Sequence, residues 1–491
     1  MIKKVIFFIF TFHFFFSAST FSQEQTPEEI NTIISNVQKK IHHSDYYESS
    51  YTVYAEQIEN TSGISRLIWQ YNMAELLFYY WRDHKSAISQ RTAVASEQDT
   101  DFKSWDSYTF MTVINGYYVS IFEQTGILQK TPLEKYNILF DQTLYQIYRP
   151  TLYDVIAQSA LYFYTYAEWE DSQYPLFFVD SSYFSDNVQF FNIELNVKDT
   201  SSFRYATIKL YQKLTAFHLN DINPLALIDI TLNRLNYIRI CSKDSMAGFL
   251  HEKALLRMVE KYIDKNGYAD ICYQLGLLYF KRAGFYKQEK DTNASQNLHT
   301  AVEWLQQVIT QDSQAHLTDN AKALIKVIQE KSIQISFQES LPANQPNLME
   351  VTYRNCDSLF IRIFPIVDYF SDRRNNRDRY DSLLQREYLF QWEYALIDHH
   401  DFKQNKGEII LPPLPSGNYF LLASSNRFKK EQNEGYDISV IQVSNLAYSK
   451  EEKQVKKRVL LYDRMKGNPV GRANFHAVSY THLTLPTILL V

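Results

Sequence analysis

The stretch Gly407-Glu-Ile-Ile-Leu-Pro-Pro-Leu-Pro-Ser-Gly-Asn-Tyr-Phe-Leu-Leu-Ala423 decides the fold of the C-terminal part of this chain. Its two apolar runs have the composition of β-strands, and the prolines between them cannot donate hydrogen bonds to a sheet. Ser416-Gly417 then permits a tight turn, after which Tyr419 and Leu421 are expected to point inward. Val459 to Phe475 has the same order of strand, turn and strand. Both runs predict β-structure.

A change of period before these runs predicts where the β-domain begins. From Ile333 onward apolar and polar residues alternate, as in a strand with one buried face. Leu348 to Tyr353 and Leu359 to Phe364 then flank a short polar segment, which predicts a hairpin. Further strands are predicted at 408–411, 418–424 and 438–443, with a charged loop at 372–379 and a short helix at 382–394. The prediction is an antiparallel sandwich of about 110 residues.

Residues 26–331 have helical periodicity instead. The clearest apolar stripe steps by three or four residues, as on one face of a helix, through Leu67, Tyr71, Ala74, Phe78 and Trp81. Similar spacing recurs around 269–279, 301–309 and 321–328. We therefore predict an α+β multidomain protein with successive paired helices followed by the β-domain.

Part of the helical region resembles a tetratricopeptide repeat. Leu275-Gly276-Leu277-Leu278-Tyr279 matches the first-helix phrase of that repeat, and Ala301 with Leu305 matches its second helix. The segment between them, Lys281 to Leu298, is roughly a dozen residues longer than a regular repeat allows. The prediction is a TPR-like region, and an irregular helical bundle is the alternative.

Composition bounds the class of protein. With 491 residues, 45% hydrophobic and 15% aromatic, the chain can form several cores, and its net charge of -5 gives no indication of nucleic-acid binding. The 12 glycines favour long helices over an all-β protein. Cys241, Cys272 and Cys356 are too few and too far apart for a disulfide framework. We interpret them as small buried hydrophobic residues, with a bridge between Cys241 and Cys272 left open.

The N-terminus predicts secretion. Lys3 and Lys4 precede an apolar run, Val5 to Phe16, that is too short to span a bilayer of about 30 Å. Small residues follow, so cleavage after Ser19 or Ser22 is expected; a short membrane anchor is the alternative. No cysteine lies near the cleavage site, which argues against a lipid anchor, and no later stretch is apolar enough to cross a membrane. The predicted location is periplasmic or extracellular.

Candidate catalytic and metal-binding residues are few. Asp398-His399-His400-Asp401 has ligand chemistry, but adjacent side chains diverge and no third ligand is identifiable, so a solvated loop is favoured. His42-His43 has no glutamate at metalloprotease spacing, and the chain has no nucleophile elbow, phosphate loop or Cys-x-x-Cys. An aromatic cluster could bind sugar or peptide, although aromatics in a helix more often belong to the core: Tyr162, Phe163, Tyr164 and Tyr166. We predict no catalytic, cofactor-binding or metal-binding residues, and no enzyme.

Several phrases resemble bacterial alpha-2-macroglobulin-like proteins. Three of them, taken in order, are similar to the first macroglobulin-type domain of that family: Tyr353-Arg354-Asn355, Leu359-Phe360-Ile361-Arg362 and Leu411 to Tyr419. Val443-Ser444-Asn445-Leu446-Ala447 is similar to the linker to the next domain. Val459 to Phe475, with Asp463, Lys466 to Val470 and Ala473, resembles the opening of the second. Tyr148 to Asp154 resembles a phrase of the family's helical region.

This resemblance implies a domain order. The signal sequence accounts for residues 1–22 and the helical, TPR-like region for 26–331; the resemblance assigns 332–446 to a macroglobulin-like sandwich and 447–477 to the start of a second one. The remaining residues, 478–491, correspond from Val478 to Thr487 to the translation of a sequencing-library adaptor. We expect this tail to be non-native; an apolar strand of the second sandwich is the alternative.

Two functions follow as hypotheses. The resemblance implies the N-terminal scaffold of a secreted protease trap, with proteases as partners of the full-length protein and an envelope protein as a partner of the helical region. Members bearing a thioester have a Cys-x-Glu-Gln motif, and this chain has none. The alternative is a secreted module whose TPR-like helices bind a peptide or glycan, with the β-domain as a spacer. An enzyme ranks third.

Overall fold

The computed structural model describes fourteen segments of the chain: residues 23–40, 46–91, 101–140, 146–170, 179–195, 202–284, 292–311, 315–338, 340–366, 376–428, 435–453, 456–471, 476–477 and 488–489. The predicted signal peptide, His42-His43 and all of the tail except 488–489 lie outside them. Within the described segments, helices precede strands, which confirms the α+β class. None of the described helices has both the length and the apolar character needed to span a membrane.

The chain divides into two compact units, Met1–Gln274 and Leu275–Val491. In the described residues the first unit is helical, and its helices are α1 (Pro27–Lys40), α2 (Tyr46–Asn60), α3 (Gly63–Asp83), α4 (Lys85–Ile88), α5 (Ser107–Phe122), α6 (Thr125–Lys130), α7 (Leu152–Glu170), α8 (Asn187–Phe191), α9 (Phe203–His218), α10 (Leu225–Cys241) and α11 (Ala247–Tyr262). Short 3-10 helices occur at Phe102–Ser104, Leu133–Tyr136 and Ser181–Phe184. Helix α12 (Tyr268–Gly284) crosses the division.

Helix α3 is the centre of the first unit. Leu67, Ala74, Phe78 and Trp81 of the predicted stripe are buried, and Tyr71 is half-buried. Residues on its other faces are buried as well, because α2, α5 and α7 all pack against it. The predicted stripe was therefore too narrow: the helix is enclosed by its neighbours and has no broad solvated face.

The second unit begins with the helices that contain the phrases compared above with a tetratricopeptide repeat. Helices α13 (Thr292–Gln311) and α14 (Ala315–Gln329) pack against each other. A β-carbon added at Gly276 of α12 would lie 2.8 Å from Cγ and Cδ2 of Leu305 and 3.5 Å from the carbonyl oxygen of Ala301. The absence of a side chain at Gly276 therefore lets α12 and α13 approach closely.

The strands follow α14 directly. They are β1 (Ser332–Ser336), β2 (Ser340–Leu341), β3 (Asn347–Arg354), β4 (Ser358–Pro365), β5 (Phe390–Ala395), β6 (Asn405–Leu411), β7 (Gly417–Ser424), β8 (Tyr436–Val443), β9 (Leu446–Lys453), β10 (Lys456–Asp463), β11 (His476–Ala477) and β12 (Ile488–Leu489), with helix α15 (Asn376–Leu384) before β5. One sheet has the order β1-β3-β6 and the other β2-β8-β7-β4-β5; β9 pairs with β10, and β11 with β12. Only the β2 to β8 pair is parallel among these described strands.

The two larger sheets form a sandwich around one apolar core. Alternate residues of β1, β3 and β6, such as Ile335 and Val351, face alternate residues of β4, β7 and β8, such as Ile361 and Leu421. The opposite face of the five-stranded sheet is covered by α15, whose Tyr380 and Leu383 cluster with residues of β4 and β7. The predicted alternation is thus confirmed at β1.

The predicted hairpin at 348–364 is wrong. Strands β3 and β4 belong to different sheets, so the segment between them crosses the sandwich instead of turning within one sheet. Both strands direct alternate apolar residues into the same core, but from opposite sides. The two strands therefore stack across the core and form no hydrogen-bonded pair. Cys356 is buried in this crossover, and Asn355 before it has a φ of 54°.

The region 372–394 also differs from its prediction. The helix predicted at 382–394 instead covers Asn376–Leu384, so it includes the end of the predicted charged loop, and Phe390–Ala395 forms the edge strand β5. Phe390, Trp392 and Tyr394 occupy alternate positions of β5, and Trp392 and Tyr394 pack against the core. This period of two was the signal for a strand.

The three cysteines are free thiols, so the bridge left open between Cys241 and Cys272 does not form. Cys241 ends α10 near Glu168 and Arg204, whereas Cys272 lies in α12 beside Tyr268. Burial raises the pKa of each of these two thiols to about 11, which disfavours the thiolate form. Cys272 and Cys356 are buried, and Cys241 is half-buried.

Candidate functional site

The loop Asp398-His399-His400-Asp401 uses its carboxylates to build turns. Asp398 Oδ1 accepts from the His400 N–H at 2.8 Å, and Asp401 Oδ1 accepts from the Lys403 N–H at 3.0 Å. The His400 side chain is 85% exposed, and its Nδ1 lies 3.4 Å from Asp398 Oδ2. Among the described residues no group of three or more His, Cys, Asp or Glu has the arrangement of a metal site.

The aromatic cluster of α7 is divided between core and surface. Phe163 and Tyr164 are buried, Tyr166 is half-buried and Tyr162 is 52% exposed. The ring centroids of Tyr162, Phe163 and Tyr166 lie 5.4 to 5.7 Å from that of Phe78 in edge-to-face geometry. Tyr162, Phe163 and Tyr166 therefore pack against Phe78 of α3. Of the four rings only that of Tyr162 is largely exposed.

The segment Tyr148 to Asp154 connects helices through hydrogen bonds. Thr151 and Asp154 make a reciprocal capping box at the start of α7: the Thr151 N–H donates to Asp154 Oδ2 at 2.9 Å, and the Asp154 N–H donates to Thr151 Oγ1 at 3.4 Å. The other oxygen, Asp154 Oδ1, lies 2.7 Å from His218 Nε2 at the end of α9. Tyr148 Oη donates to Asp270 Oδ1 at 2.7 Å.

His218 lies between two carboxylates. Its Nδ1 is 2.6 Å from Asp221 Oδ2, so both ring nitrogens have a carboxylate oxygen within hydrogen-bond distance. Burial by itself lowers the pKa of His218, but hydrogen bonding to Asp154 and Asp221 and their charges outweigh burial and raise it. The raised pKa favours the charged imidazole between the two aspartates, and of the three side chains only Asp221 is partly exposed. It is a structural ion cluster.

The proline phrase forms a corner between the two sheets. Strand β6 ends at Leu411 in one sheet and β7 begins at Gly417 in the other, with Leu414 fully buried between them. Tyr419 Oη donates to the carbonyl oxygen of Pro415 at 2.9 Å, which closes the corner. A β-carbon at Gly417 would lie 3.0 Å from Tyr419 Oη, so the glycine leaves room for the tyrosine.

Two more of the resembling phrases lie at joints, whereas Leu359 to Arg362 lies within strand β4. Asn355 Nδ2 donates to the carbonyl oxygens of Ile328 and Glu330 at 3.0 Å each, which satisfies groups at the C-terminal end of α14. Asp463 Oδ1 accepts from the Met465 and Lys466 N–H groups at 2.9 Å each, and Gly467 has a φ of 68°. The predicted turn after Val459 is therefore present, and Pro469 forms a bridge to Tyr462.

A groove lies between α5 and α9 in the first unit. It has a volume of about 510 Å³. Its floor contains the buried Met111, Tyr164, Phe203 and Leu210, while Tyr108 and Val119 on α5 are 60% and 51% exposed. Since an α-helix rises about 1.5 Å per residue, the lined part of α5 is about 20 Å long. The groove can therefore hold several residues of a peptide.

The groove is lined by more basic than acidic side chains. Lys209 and Lys213 lie one turn apart on the exposed edge of α9, and Glu123 lies at the end of α5. Burial raises the pKa of Tyr164 on the floor, so its phenol stays neutral. Sequence reasoning missed this groove because α5 has apolar residues on two faces: one packs into the unit, and the other, with Tyr108 and Val119, lines the groove.

A second cavity in this unit is more polar. It has a volume of about 430 Å³ and lies among α1, α2 and α3. Tyr47 Oη donates to Asp83 Oδ2 at 2.9 Å at its edge. Glu75 also lines the cavity; its burial raises the pKa of the carboxyl, and it accepts a hydrogen bond from Tyr118 at 2.7 Å. Both acidic side chains of this cavity therefore already have a hydrogen-bond partner.

Comparison with known proteins gives no family. No protein-family model and no curated protein matches the sequence. The CARDB domain of the PF1109 protein from Pyrococcus furiosus, solved in complex with di-metal ions, aligns with 23% of this chain and 88% of its own at 12% identity and a TM-score of 0.15. Domains 1–6 of the surface layer protein SbsC align with 86% of this chain at 12% identity and a TM-score of 0.14, and a second SbsC structure does so at 0.13.

The alignments cover 54% and 53% of the two SbsC chains, so this chain spans about half of their length. TM-scores of this size do not indicate a shared fold.

Proposed function

We propose that the chain is the N-terminal scaffold of a secreted macroglobulin-like protein whose full-length form traps proteases. The observation that carries the proposal is the position of the resembling phrases. Four of them form the capping box of α7, the polar cap of α14, the corner between the sheets and the turn after β10. These four phrases thus fix a helix start, a helix end, a corner and a turn, which are structural roles that suit a scaffold.

Two further features support this proposal. The sandwich has three antiparallel strands facing a five-stranded sheet, and β9 and β10 follow it as a separate ribbon. Asn445 joins the two: its Oδ1 accepts from the Ala343 N–H at 2.8 Å, and its carbonyl oxygen accepts from the Arg464 N–H at 2.7 Å. The phrase that resembles an inter-domain linker therefore contacts both the sandwich and the turn of the following ribbon.

The gene itself provides the first test. We expect the reading frame beyond codon 477 to encode several more β-domains, and in a thioester-bearing member also a Cys-x-Glu-Gln motif. A stop codon soon after Phe475 would contradict the proposal.

The full-length gene product provides the second test. It should retain an added protease in a complex that is stable to gel filtration, and methylamine should abolish the covalent part of that capture if the thioester is present. A protease that elutes free and remains fully active against protein substrates would count against the proposal.

The groove between α5 and α9 favours a second candidate function, the binding of a peptide. An amphipathic peptide would place apolar side chains against Tyr108, Val119 and the floor, and acidic side chains near Lys209 and Lys213. Fluorescence anisotropy with labelled acidic amphipathic peptides measures this directly. Tyr108→Ser is expected to weaken binding about tenfold or more, whereas Tyr162→Ser, at a similarly exposed tyrosine outside the groove, leaves it unchanged. Equal effects of the two variants would exclude the groove as the site.

A further inference from the structure

A small cavity lies beside α8, α10 and α11 in the first unit. Its volume is about 40 Å³, and its lining includes Ser185, Arg234, Arg257, Lys261 and Tyr262. A water molecule needs about 10 to 15 Å³ by this kind of measure. The cavity therefore has room for a few water-sized atoms.

Arg234 supplies a buried positive charge to this cavity. Its side chain is 0% exposed, and its guanidinium lies 4.1 Å from the ring centroid of Phe190. Nη1 donates to the carbonyl oxygen of Tyr183 at 3.0 Å, and Nη2 donates to the carbonyl oxygen of Ser185 at 3.1 Å and to Asn187 Oδ1 at 3.3 Å. Nε has no hydrogen-bond partner among the described residues. Burial lowers the pKa of Arg234 to about 9, although the negative charge of Asp186 acts in the opposite direction.

Two hydroxyl groups of the lining also lack partners. Ser185 Oγ and Tyr262 Oη are both buried and, within the described segments, neither has a hydrogen-bond partner. Buried donors without partners are rare in proteins, because each one loses its hydrogen bonds to water. Three residues of the lining, Arg234, Ser185 and Tyr262, thus each carry a buried hydrogen-bonding atom that has no partner among the described residues.

The charges around the cavity are mostly positive. Arg257 donates to the carbonyl oxygen of Phe184 at 2.6 Å, and Lys261 Nζ lies 5.3 Å from the ring centroid of Tyr262. Asp186 is the acidic residue of the lining, and its Oδ1 already accepts from the Val188 and Gln189 N–H groups at 2.9 Å each. In the described part of the chain, no carboxylate lies within salt-bridge distance of Arg234, Arg257 or Lys261. Arg234 is buried whereas Arg257 and Lys261 are exposed, and like charges around one site repel each other and favour a bound anion.

We propose that this cavity binds a small inorganic anion, which accepts hydrogen bonds from Arg234 Nε, Ser185 Oγ and Tyr262 Oη and is attracted by Arg257 and Lys261. The anion would satisfy the three unpartnered donors and balance the positive charge at once. Chloride and phosphate share the required chemistry, and the experiment distinguishes them. The site is independent of the macroglobulin-like assignment.

Thermal unfolding of the full chain in three sodium salts at equal ionic strength tests this site. Chloride or phosphate is expected to raise the melting temperature of the first unit relative to gluconate, whose anion is too large for the cavity. The salt that gives the larger rise identifies the preferred anion, and titration calorimetry with that salt gives the affinity. An equal effect of all three salts, or none, would show that the cavity holds only water and would overturn the proposal.

The decisive variant is Tyr262→Phe, which removes one oxygen that has no protein partner. If the hydroxyl only occupies space, this change leaves the folded protein and its response to salt unaltered. As an anion ligand it is expected to weaken the affinity about tenfold. Lys261→Gln is expected to weaken it as well, whereas Lys253→Gln, two turns earlier on the same helix and outside the cavity, is the matched control for loss of charge. Equal effects of the two lysine variants would indicate general screening and overturn the proposal.

Discussion

His218 shows how single residues join the helices of the first unit. It is 2% exposed at the end of α9, and its partner Asp154 is 4% exposed at the start of α7. Because Asp154 also closes the capping box, one carboxylate fixes both the beginning of a helix and its contact with a neighbour. Removing one member of such a buried cluster leaves the others without compensation.

This cluster predicts a stability that depends on pH. Since the folded-state pKa of His218 is raised, its contribution is fully present below about pH 6.5, the ordinary pKa of histidine, and is lost as the pH rises through the folded-state pKa. The free energy of unfolding of the wild type is therefore expected to fall over this interval relative to that of His218→Gln. Urea unfolding followed by circular dichroism measures both. His399→Gln, in an exposed loop, is the control, and parallel curves for wild type and His218→Gln would refute the assignment.

Tyr419 and Gly417 predict a coupled pair at the corner between the sheets. Tyr419→Phe removes the hydrogen bond to Pro415 and is expected to cost about 1 kcal/mol. Gly417→Ala places a β-carbon against the tethered ring, at an expected cost of about 1 to 2 kcal/mol. Once the hydroxyl is gone the ring is free to shift, so the double variant is expected to lose less stability than the sum of the two. Strict additivity in urea unfolding would show that the two residues act independently.

At the scale of elements, the contact between α12 and α13 depends on Gly276. Gly276→Ala is expected to destabilise the second unit by about 1 to 3 kcal/mol, because the new methyl group would overlap Leu305, which is fully buried and cannot move aside. The melting temperature measures this change. Gly116→Ala is the control: it also lies within a helix but has no atom within 4 Å of the added carbon, so a gain of up to about 1 kcal/mol is expected. A neutral Gly276→Ala would contradict close packing of these helices.

The sequence predicted the type and position of single helices and strands better than it predicted which strands pair with each other. The alternation at Ile333 and Ile335 identified β1, and helical spacing located α3, because local period reflects which side of an element is buried. The hairpin between β3 and β4 failed because two strands that pair and two strands that stack across a sandwich have the same alternating pattern. Choosing between them requires contacts between residues far apart in the chain, such as those of β3 with β6.

At the scale of the whole molecule, sites built from residues far apart in the chain are equally hard to predict from the sequence. The capping box at Thr151 and Asp154 is local and could be read from its spacing. The groove joins Tyr108 to Tyr205, and the anion cavity joins Ser185, Arg234 and Tyr262, so neither has a local motif. Only the fold brings these residues together. The composition of α5, with more apolar residues than one buried face requires, was the available signal for the groove.

The division of the chain into two compact units predicts two unfolding transitions. Asp154 lies in the unit Met1–Gln274 and Tyr419 in the unit Leu275–Val491. Because contacts concentrate within each unit, scanning calorimetry of the whole chain is expected to resolve two cooperative transitions. Asp154→Asn, which weakens a buried ion cluster, is expected to lower the midpoint of one transition only, and Tyr419→Phe that of the other only. Sites without shared partners contribute additively, so the double variant should lower both midpoints by the amounts seen in the single variants. A single transition displaced by either variant would instead show that the two units unfold as one.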